Sequence, residues 1–220
     1  MPDAAFRLDI LEARDAAGQR AQIQALADSP PAALLVQPAG LETVLPDLKA
    51  LQAAGTRVFA FDLDAKPGNP FPGTALVCDP AEIGRAAAGI VQRALERRAA
   101  ERGTAPAEGR VMVIRGSDDS PWCSRVHEAF ASELARHPGI VLVHDAAADW
   151  NPALVGALYL DALRLQQSVD VVFAHDDFLA QAAHFAAELA GRREDTLILG
   201  VNGFEGDEGG LEMISRGEID

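Results

Sequence analysis

Short, continuously apolar segments alternate with longer amphipathic segments along almost the whole chain. The segment VVFA at 171–174, for example, is apolar at consecutive positions instead of at every second one. Strands of this kind are buried on both faces, which is typical of parallel sheets with helices on each side. The alternation therefore predicts an α/β protein with doubly wound parallel sheets. The predicted strands are 6–11, 32–38, 57–64, 74–79, 110–116, 140–146, 170–176 and 196–203. The predicted helices are 15–28, 41–54, 83–102, 121–136, 152–167 and 177–190, with the start of a further helix at 209–215.

The strand and helix segments fall into two sets, which predicts two lobes, 1–78 and 79–220. A loop is predicted at 64–73, which contains three prolines and two glycines. A polar link is predicted at 102–109, between the first long helix of the second set and the strand that follows it. We therefore expect one parallel sheet with flanking helices in each lobe.

Charge and composition exclude several classes of protein. The 33 acidic residues outnumber the 19 basic residues, which gives a net charge of −14 at pH 7. Such a chain repels phosphate backbones, so we expect no nucleic-acid partner and favour a neutral or weakly polar small ligand. No apolar run reaches the roughly 18 to 20 residues that cross a bilayer, and no Lys/Arg-rich amphipathic stretch favours a membrane surface. We expect no direct membrane insertion.

The N-terminus and the cysteines carry little further signal. The first ten residues, MPDAAFRLDI, have neither the basic region nor the long apolar region of a signal peptide. Cys78 and Cys123 are too few for a disulfide framework, and they lack the CxxC spacing, so we predict two free thiols.

Polar side chains collect where the predicted strands end. In open α/β sheets, ligands bind outside the carboxyl ends of the strands. Carboxylates and amides hydrogen-bond vicinal hydroxyls, arginine donates in a fixed fork, and an aromatic ring covers the C–H face of a sugar. These residue types together favour a sugar-like ligand. The strand-end residues are Gln37, Asp62, Asp64, Asp79, Arg115, 117–119, Asp149, Trp150, 175–177 and Asn202.

Three segments carry a resemblance to a known family. They are FRLDILEARDAAGQRAQIQALADSPPAALLVQP, AAGTRVFAFDLD, and the long C-terminal stretch from VVFAHDDFLAQAAHF to GGLEMISRGEID. In order and spacing the chain resembles the type I periplasmic sugar-binding proteins, the ribose- and galactose-binding group of ABC-transporter substrate-binding proteins. The resemblance implies a two-lobed fold that captures a small sugar or polyol in a cleft between the lobes, without a cofactor. It also implies a periplasmic or extracytoplasmic location, with a membrane permease or a sensor kinase as partner.

The resemblance also assigns roles by position. Asp62 matches an acid that holds sugar hydroxyls, Arg125 falls near a sugar-binding arginine, and Trp150 matches a stacking tryptophan. Asp176 stands where the family usually has Asn, and Asn202 where it usually has Asp. Trp122, at the entry of a helix, is a further candidate wall of the cleft. The resemblance covers the family from its second β–α unit onward, so it implies an incomplete first lobe over 1–78 and a nearly whole second lobe over 79–220.

Plainer roles exist for the same residues. Trp122 and Trp150 could be core or surface aromatics, Arg125 an exposed ion-pairing residue, and Asp62 and Asn202 turn residues. The run of His175, Asp176 and Asp177 could hold a metal, but three adjacent ligands point in different directions. We instead expect Asp177 to cap the following helix and Asp176 to face the cleft.

Three other readings compete with a binding protein. No GxSxG, GxGxxG, P-loop or HExxH pattern occurs, so we predict no catalytic residue and no enzyme, although a small α/β enzyme stays an alternative. The effector-binding core of a lactose-repressor-type transcription regulator has the same fold, but it needs a DNA-binding segment. A non-functional fragment would leave apolar sheet edges exposed.

Overall fold

A computed structural model describes residues 7–61, 70–76, 78–104, 106–166, 168–206 and 209–220. The chain divides into two compact units, Met1–Cys78 and Asp79–Asp220. Each unit contains one sheet, and all strand pairs in both sheets are parallel. The helices and strands confirm the predicted α/β class. No helix in the described ranges is long and apolar enough to cross a membrane.

The first unit has a three-stranded sheet of order β1-β2-β3. Its strands are β1 (Ala33–Val36), β2 (Arg57–Phe61) and β3 (Thr74–Leu76), and its α-helices are α1 (Ala16–Ala25) and α2 (Leu41–Ala53), with a short 3-10 turn at Leu26–Asp28. The prediction of a strand over 6–11 is wrong for residues 7–11, which have no regular structure. Their apolar side chains, including Leu8 and Ile10, are exposed, because no neighbouring strand pairs with them in the described part of the unit.

Among the described residues, helices cover one face of this first sheet. Val36, Val58 and Ala60 are buried against Ile23 of α1 and the buried leucines of α2. On the other face, Leu35 is 63% exposed and Leu76 is 60% exposed. The prediction that the strand at 32–38 is buried is therefore wrong for this face, because both described helices of the unit pack on the opposite side.

The second unit has a four-stranded sheet of order β5-β4-β6-β7. Its strands are β4 (Gly109–Arg115), β5 (Ile140–Ala147), β6 (Val171–Ala174) and β7 (Leu197–Leu199). Its helices are α3 (Pro80–Arg102), α4 (Pro121–Leu134), α5 (Pro152–Gln166), α6 (Asp177–Leu189) and α7 (Gly210–Ser215), with a 3-10 turn at Arg193–Asp195.

Helices cover both faces of this second sheet, as predicted. Alternate residues of the central strand β4 enter opposite cores: Met112 and Ile114 pack with α5, α6 and α7, whereas Val111 and Val113 pack with α3 and α4. All four residues of β6 are buried. The two cores fix the sheet between its helices, and the parallel strands bring their carboxyl ends to one edge.

Close packing of α3 against α4 sets the position of the helix that begins at this edge. A Cβ on Gly84 of α3 would lie 2.2 Å from the carbonyl oxygen of Val126 in α4. The backbones therefore touch where a side chain would separate them. The first turn of α4, which carries Trp122 and Arg125, is held in place by this contact.

Candidate ligand-binding site

A strained turn presents Trp150 between β5 and α5. The Asn151 N–H donates to the Ala148 carbonyl over 2.8 Å, and the two residues between them have positive φ, 49° at Asp149 and 56° at Trp150. Two positive φ angles in succession are the pattern of a type I′ turn, which favours glycine and asparagine. A tryptophan in this conformation costs on the order of 1–3 kcal/mol, and such strain clusters at functional sites.

The Trp150 side chain lies directly on Gly116, the residue after β4. The Trp150 N–H donates to the Gly116 carbonyl over 3.1 Å. A Cβ on Gly116 would lie 2.3 Å from the indole Cζ2, so only glycine leaves room for the ring. The ring remains 44% exposed. One of its faces is thus supported by backbone while much of its surface stays open to a ligand.

Trp122 is the neighbour of Trp150. Ser120 caps α4 by accepting the Cys123 N–H over 3.3 Å, and Trp122 lies in the first turn of that helix. The two indole rings are 6.2 Å apart between centroids and inclined by 44°. The structure therefore brings together both predicted aromatic candidates, which are the only two tryptophans of the chain.

His175 lies beneath this pair, directly after β6. Its imidazole is fully buried, 5.7 Å from the Trp122 ring in a T-shaped contact and 5.5 Å from the Phe173 ring. Phe173 in turn stacks on Phe130 at 4.5 Å. We call this series the aromatic ladder; it runs from the core to the exposed edge through Phe130, Phe173, His175, Trp122 and Trp150.

Burial keeps His175 neutral. Desolvation, followed by the positive potentials of His127 and Arg115, lowers its pKa from 6.5 to about 3. Neither ring nitrogen has a hydrogen-bond partner among the described residues. In the sequence His175 stands beside two acidic residues, and nothing in the sequence indicates that it belongs to an aromatic series.

Asp176, and not Asp177, caps α6. Oδ1 of Asp176 accepts the Leu179 N–H over 2.6 Å, so the prediction that Asp177 is the cap is wrong. The residue with extended backbone just before the helix is the one whose carboxylate reaches the first-turn amides. Desolvation raises the pKa of Asp176, against the lowering effect of its hydrogen bond from Leu179. The half-buried carboxylate keeps acceptor capacity beyond the cap.

Asp177 fastens the loop that follows β7. It is buried, and its Oδ2 accepts the N–H groups of Gly203 and Phe204 over 2.9 and 3.2 Å. Asn202, next to this contact, is exposed and has a φ of 102°. The buried carboxylate thus fixes the backbone that presents the Asn202 amide.

The remaining two candidates differ in what the structure describes. Arg125 donates from Nη2 to Oδ1 of Asp79 over 3.1 Å, and the same oxygen caps α3 by accepting the Ala81 N–H. Its side chain is 34% exposed, so the ion-pairing role that we left open is realised. Asp62 lies outside the described residues.

An ionic cluster at the same edge joins Arg115 and Asp118, which the sequence placed at a strand end, to Asp145 and His127, which it did not single out. Arg115 donates to Asp118 and, over 2.6 Å, to Oδ1 of Asp145. Nε2 of His127 lies 3.3 Å from the other oxygen of Asp145. Desolvation lowers the pKa of Arg115, but the hydrogen bonds to Asp118 and Asp145 raise it more. The cluster holds the ends of β4 and β5 to α4, and within it Arg115 is a permanent cation near His175.

A groove of the second unit lies away from this edge, and the described ranges contain no candidate metal site. A groove of about 410 Å³ is lined by Leu95, Arg98, Arg102, Glu108 and Asp170, among others. Because Glu108 precedes β4 and Asp170 precedes β6, it lies at the amino edge of the sheet and contains none of the candidate residues. Within the described ranges, no group of three His, Cys, Asp or Glu residues could hold a metal.

Three solved structures illustrate what this chain is similar to. The fructose-binding periplasmic domain of a hybrid two-component system is 23% identical, with a TM-score of 0.71, over 94% of this chain and 65% of that chain. A periplasmic solute-binding protein of an ABC transporter from Actinobacillus succinogenes, with bound D-allose, is 19% identical, with a TM-score of 0.77, over 93% and 69%. An ABC-transporter solute-binding protein from Burkholderia graminis, in complex with D-arabinose, is 18% identical, with a TM-score of 0.70, over 93% and 67%.

The three solved structures have the same fold, and each is longer than the part that this chain matches. The chain spans 65% to 69% of the length of these three structures, so about a third of each has no counterpart in it. No curated protein sequence is similar enough to match this chain. The two-lobed type I fold predicted from the sequence is confirmed by the structural matches.

The family described as periplasmic binding protein domain matches residues 4–220, which is nearly the whole chain. The family is one of extracytoplasmic solute-binding proteins. The resemblance seen in the sequence is therefore confirmed, and this chain belongs to the periplasmic binding protein domain family.

Proposed function

We propose that this protein captures a small sugar or sugar-like polyol at the carboxyl edge of the Asp79–Asp220 sheet. The observation that carries the proposal is Trp150, a strained and half-exposed ring supported by Gly116. Indole stacks on the apolar C–H face of a sugar ring, and a ring already fixed by the turn loses little conformational entropy on binding. Stacking on a ligand would account for the backbone strain at Trp150, whereas a turn without a function gains nothing from a strained tryptophan.

Polar groups near the same edge suit hydroxyls. Asp176 presents a half-buried carboxylate with acceptor capacity beyond its helix cap, and the Asn202 amide both donates and accepts. On this proposal the guanidinium of Arg125 donates both to Asp79 and to a hydroxyl of the ligand. Asp62, which lies outside the described residues, is included in the proposal only because the resemblance assigns it to sugar hydroxyls.

The domain assignment belongs to the same proposal. On this view 1–78 is a partial N-terminal lobe and 79–220 a C-terminal lobe of the binding protein. The complete helix cover of the second sheet and the single covered face of the first support this assignment. The resemblance implies that ligand binding shifts the population of such a protein toward a closed state.

The biological role follows from the relatives. The similar proteins are a fructose-binding periplasmic domain of a two-component system and solute-binding proteins of ABC transporters, one periplasmic with D-allose and one with D-arabinose. We propose that this protein acts outside the cytoplasm and hands its closed form to a permease or a sensor kinase. It performs no chemistry on its ligand.

Isothermal titration calorimetry with D-allose, D-arabinose and D-fructose tests the proposal. We expect saturable binding of at least one of them and a loss of at least tenfold in affinity in Trp150→Ala. Phe185→Ala is the matched control, because Phe185 is an aromatic residue with 49% exposure on α6, away from the ladder. Equal affinities of the Trp150→Ala and wild-type proteins contradict the site, and no binding of any of the three sugars contradicts the ligand class.

A further inference from the structure

The buried position of His175 is energetically unfavourable for an imidazole. It is fully buried, and neither ring nitrogen has a partner among the residues that the structure describes. Leaving a buried polar group without a hydrogen bond costs about 1–3 kcal/mol, whereas an apolar ring of similar shape avoids that cost. The contacts that the structure shows for this ring are its aromatic contacts with Trp122 and Phe173.

The contacts of His175 lead to the exposed edge. Its ring meets Trp122 at 89° with centroids 5.7 Å apart, and Trp122 meets Trp150 at 6.2 Å. On its other side it packs at 5.5 Å on Phe173, which is anchored in the core by Phe130. His175 is thus linked to Trp150 through Trp122.

Trp122 has two kinds of support. It lies in the first turn of α4, partly buried against the core formed with α3 and α4, and its ring meets the imidazole of His175 edge to face. Edge-to-face aromatic contacts are worth about 0.5–1.5 kcal/mol beyond burial, which is enough to select one indole orientation. His175 is the fully buried ring in contact with it and therefore the rigid member of the pair.

We propose that His175 is a positioning residue: its buried ring fixes the inclination of Trp122 against Trp150 and thereby sets the affinity of the stacking surface for a sugar ring. The affinity part of this inference rests on the proposed function; the orientation part does not. His175 touches no ligand in this role, because it is fully buried.

The two tryptophans provide a readout of their own. They are the only tryptophans of the chain, and two indoles at 6.2 Å and 44° couple in circular dichroism as an exciton couplet. The couplet reports their mutual orientation whether or not a sugar is bound. A loss of general stability does not remove it as long as the protein stays folded.

Three variants of the full chain make the test. His175→Ala removes the ring, and we expect it to reduce the couplet strongly. His175→Phe keeps an aromatic ring without the nitrogens, and we expect it to retain the couplet. His184→Ala is the matched control: His184 is a buried histidine of the same unit, outside the ladder, that accepts the Arg193 Nε–H over 2.9 Å. We expect its couplet to equal that of the wild type.

Affinity is measured on the same variants with D-allose, D-arabinose and D-fructose. We expect His175→Ala to weaken the dissociation constant roughly two- to tenfold, the equivalent of one aromatic contact, and His184→Ala to leave it unchanged. An unchanged couplet in His175→Ala, or a couplet reduced equally in His184→Ala, overturns the positioning role. If His175→Ala does not fold, loss of the couplet in folded His175→Phe overturns it instead.

The proposed sugar binding and the positioning role of His175 can be contradicted independently of each other. If the wild type binds none of the three sugars, the proposed function fails while the couplet still decides the orientation claim. If the couplet is lost in His175→Ala and the sugar affinity is unchanged, the link from orientation to affinity is overturned.

Discussion

The indole ring of Trp150 rests on the Cα of Gly116, so closely that a methyl group at Gly116 would overlap the ring. The contact joins the end of β4 to the turn before α5 and holds an aromatic face open at the edge of the sheet. It is the most specific requirement that the site places on the sequence.

Gly116→Ala should displace Trp150. We expect loss of the tryptophan exciton couplet and an affinity for sugar reduced on the order of tenfold, or about 1.4 kcal/mol, measured by circular dichroism and calorimetry. Gly156→Ala is the control, because a Cβ on this helical glycine meets nothing within 4 Å. Helix propensity predicts that Gly156→Ala raises the free energy of unfolding by about 0.5–1 kcal/mol. An unchanged couplet in Gly116→Ala would contradict the contact.

Asp176 should be replaceable by asparagine without loss of stability. Asn caps helices as well as Asp does, whereas Asp176→Ala should lower the free energy of unfolding by about 1 kcal/mol. Desolvation raises the pKa of Asp176 in the folded state. The folded state therefore favours the protonated, neutral carboxyl; this stabilisation is fully present below the unfolded pKa and is lost as the pH rises through the folded pKa. At pH 7 the neutral amide removes nothing that stabilises the fold.

Urea denaturation at pH 7 compares the three proteins. We expect Asp176→Asn to lie within about 0.5 kcal/mol of the wild type, in line with Asn and Asp as equal caps, or above it. A loss in Asp176→Asn as large as that in Asp176→Ala would show that the negative charge itself holds α6.

His175 should make the protein less stable in acid. Its pKa is 6.5 in the reference state and about 3 in the folded protein, because of desolvation and the nearby His127 and Arg115. Between these two values the unfolded chain binds a proton that the folded protein does not. The free energy of unfolding therefore falls as the pH falls through this window, by up to about 1.4 kcal/mol per pH unit from this residue.

The His175→Phe variant isolates this contribution from that of the many carboxylates. We expect the difference in unfolding free energy between variant and wild type to grow steadily from pH 6.5 down to pH 4, measured by urea denaturation. A constant difference over that range would mean that His175 takes up its proton in the folded state.

Asp177→Ala should loosen the loop after β7. The variant removes the acceptor of the Gly203 and Phe204 N–H groups from a buried position. Loss of buried hydrogen bonds to a charged group predicts a decrease of about 2–3 kcal/mol in unfolding free energy. Amide hydrogen exchange at Gly203 and Phe204 should become faster. Asp161→Ala, which removes an exposed ion pair with Arg164, should change stability by less than about 0.5 kcal/mol.

Local patterns in the sequence predicted most elements of the second unit. The consecutive apolar residues of β4 and β6 require burial on both faces, and five helices supply it. The same pattern misled in the first unit. AALLV was expected to be covered on both sides, but Leu35 is exposed, because whether a face is covered depends on helices elsewhere in the chain.

The site was only partly predictable, for geometric reasons. The position of Trp150 after a strand could be read from the sequence, but its positive φ and its contact with Gly116 arise from two segments far apart in the chain. Asp176 and Asp177 have the same chemistry, and only backbone geometry decides which one caps α6 and which one holds the loop. No sequence pattern marks His175 as the buried centre of an aromatic series.

Tryptophan fluorescence during a sugar titration tests the central claim most directly, because both tryptophans of the chain lie in the aromatic ladder. We predict that saturation with whichever of D-allose, D-arabinose or D-fructose binds in calorimetry shifts the emission and shields Trp150 from acrylamide quenching. A sugar that binds in calorimetry but leaves both the emission and the quenching unchanged would contradict the claim that Trp150 is the stacking surface.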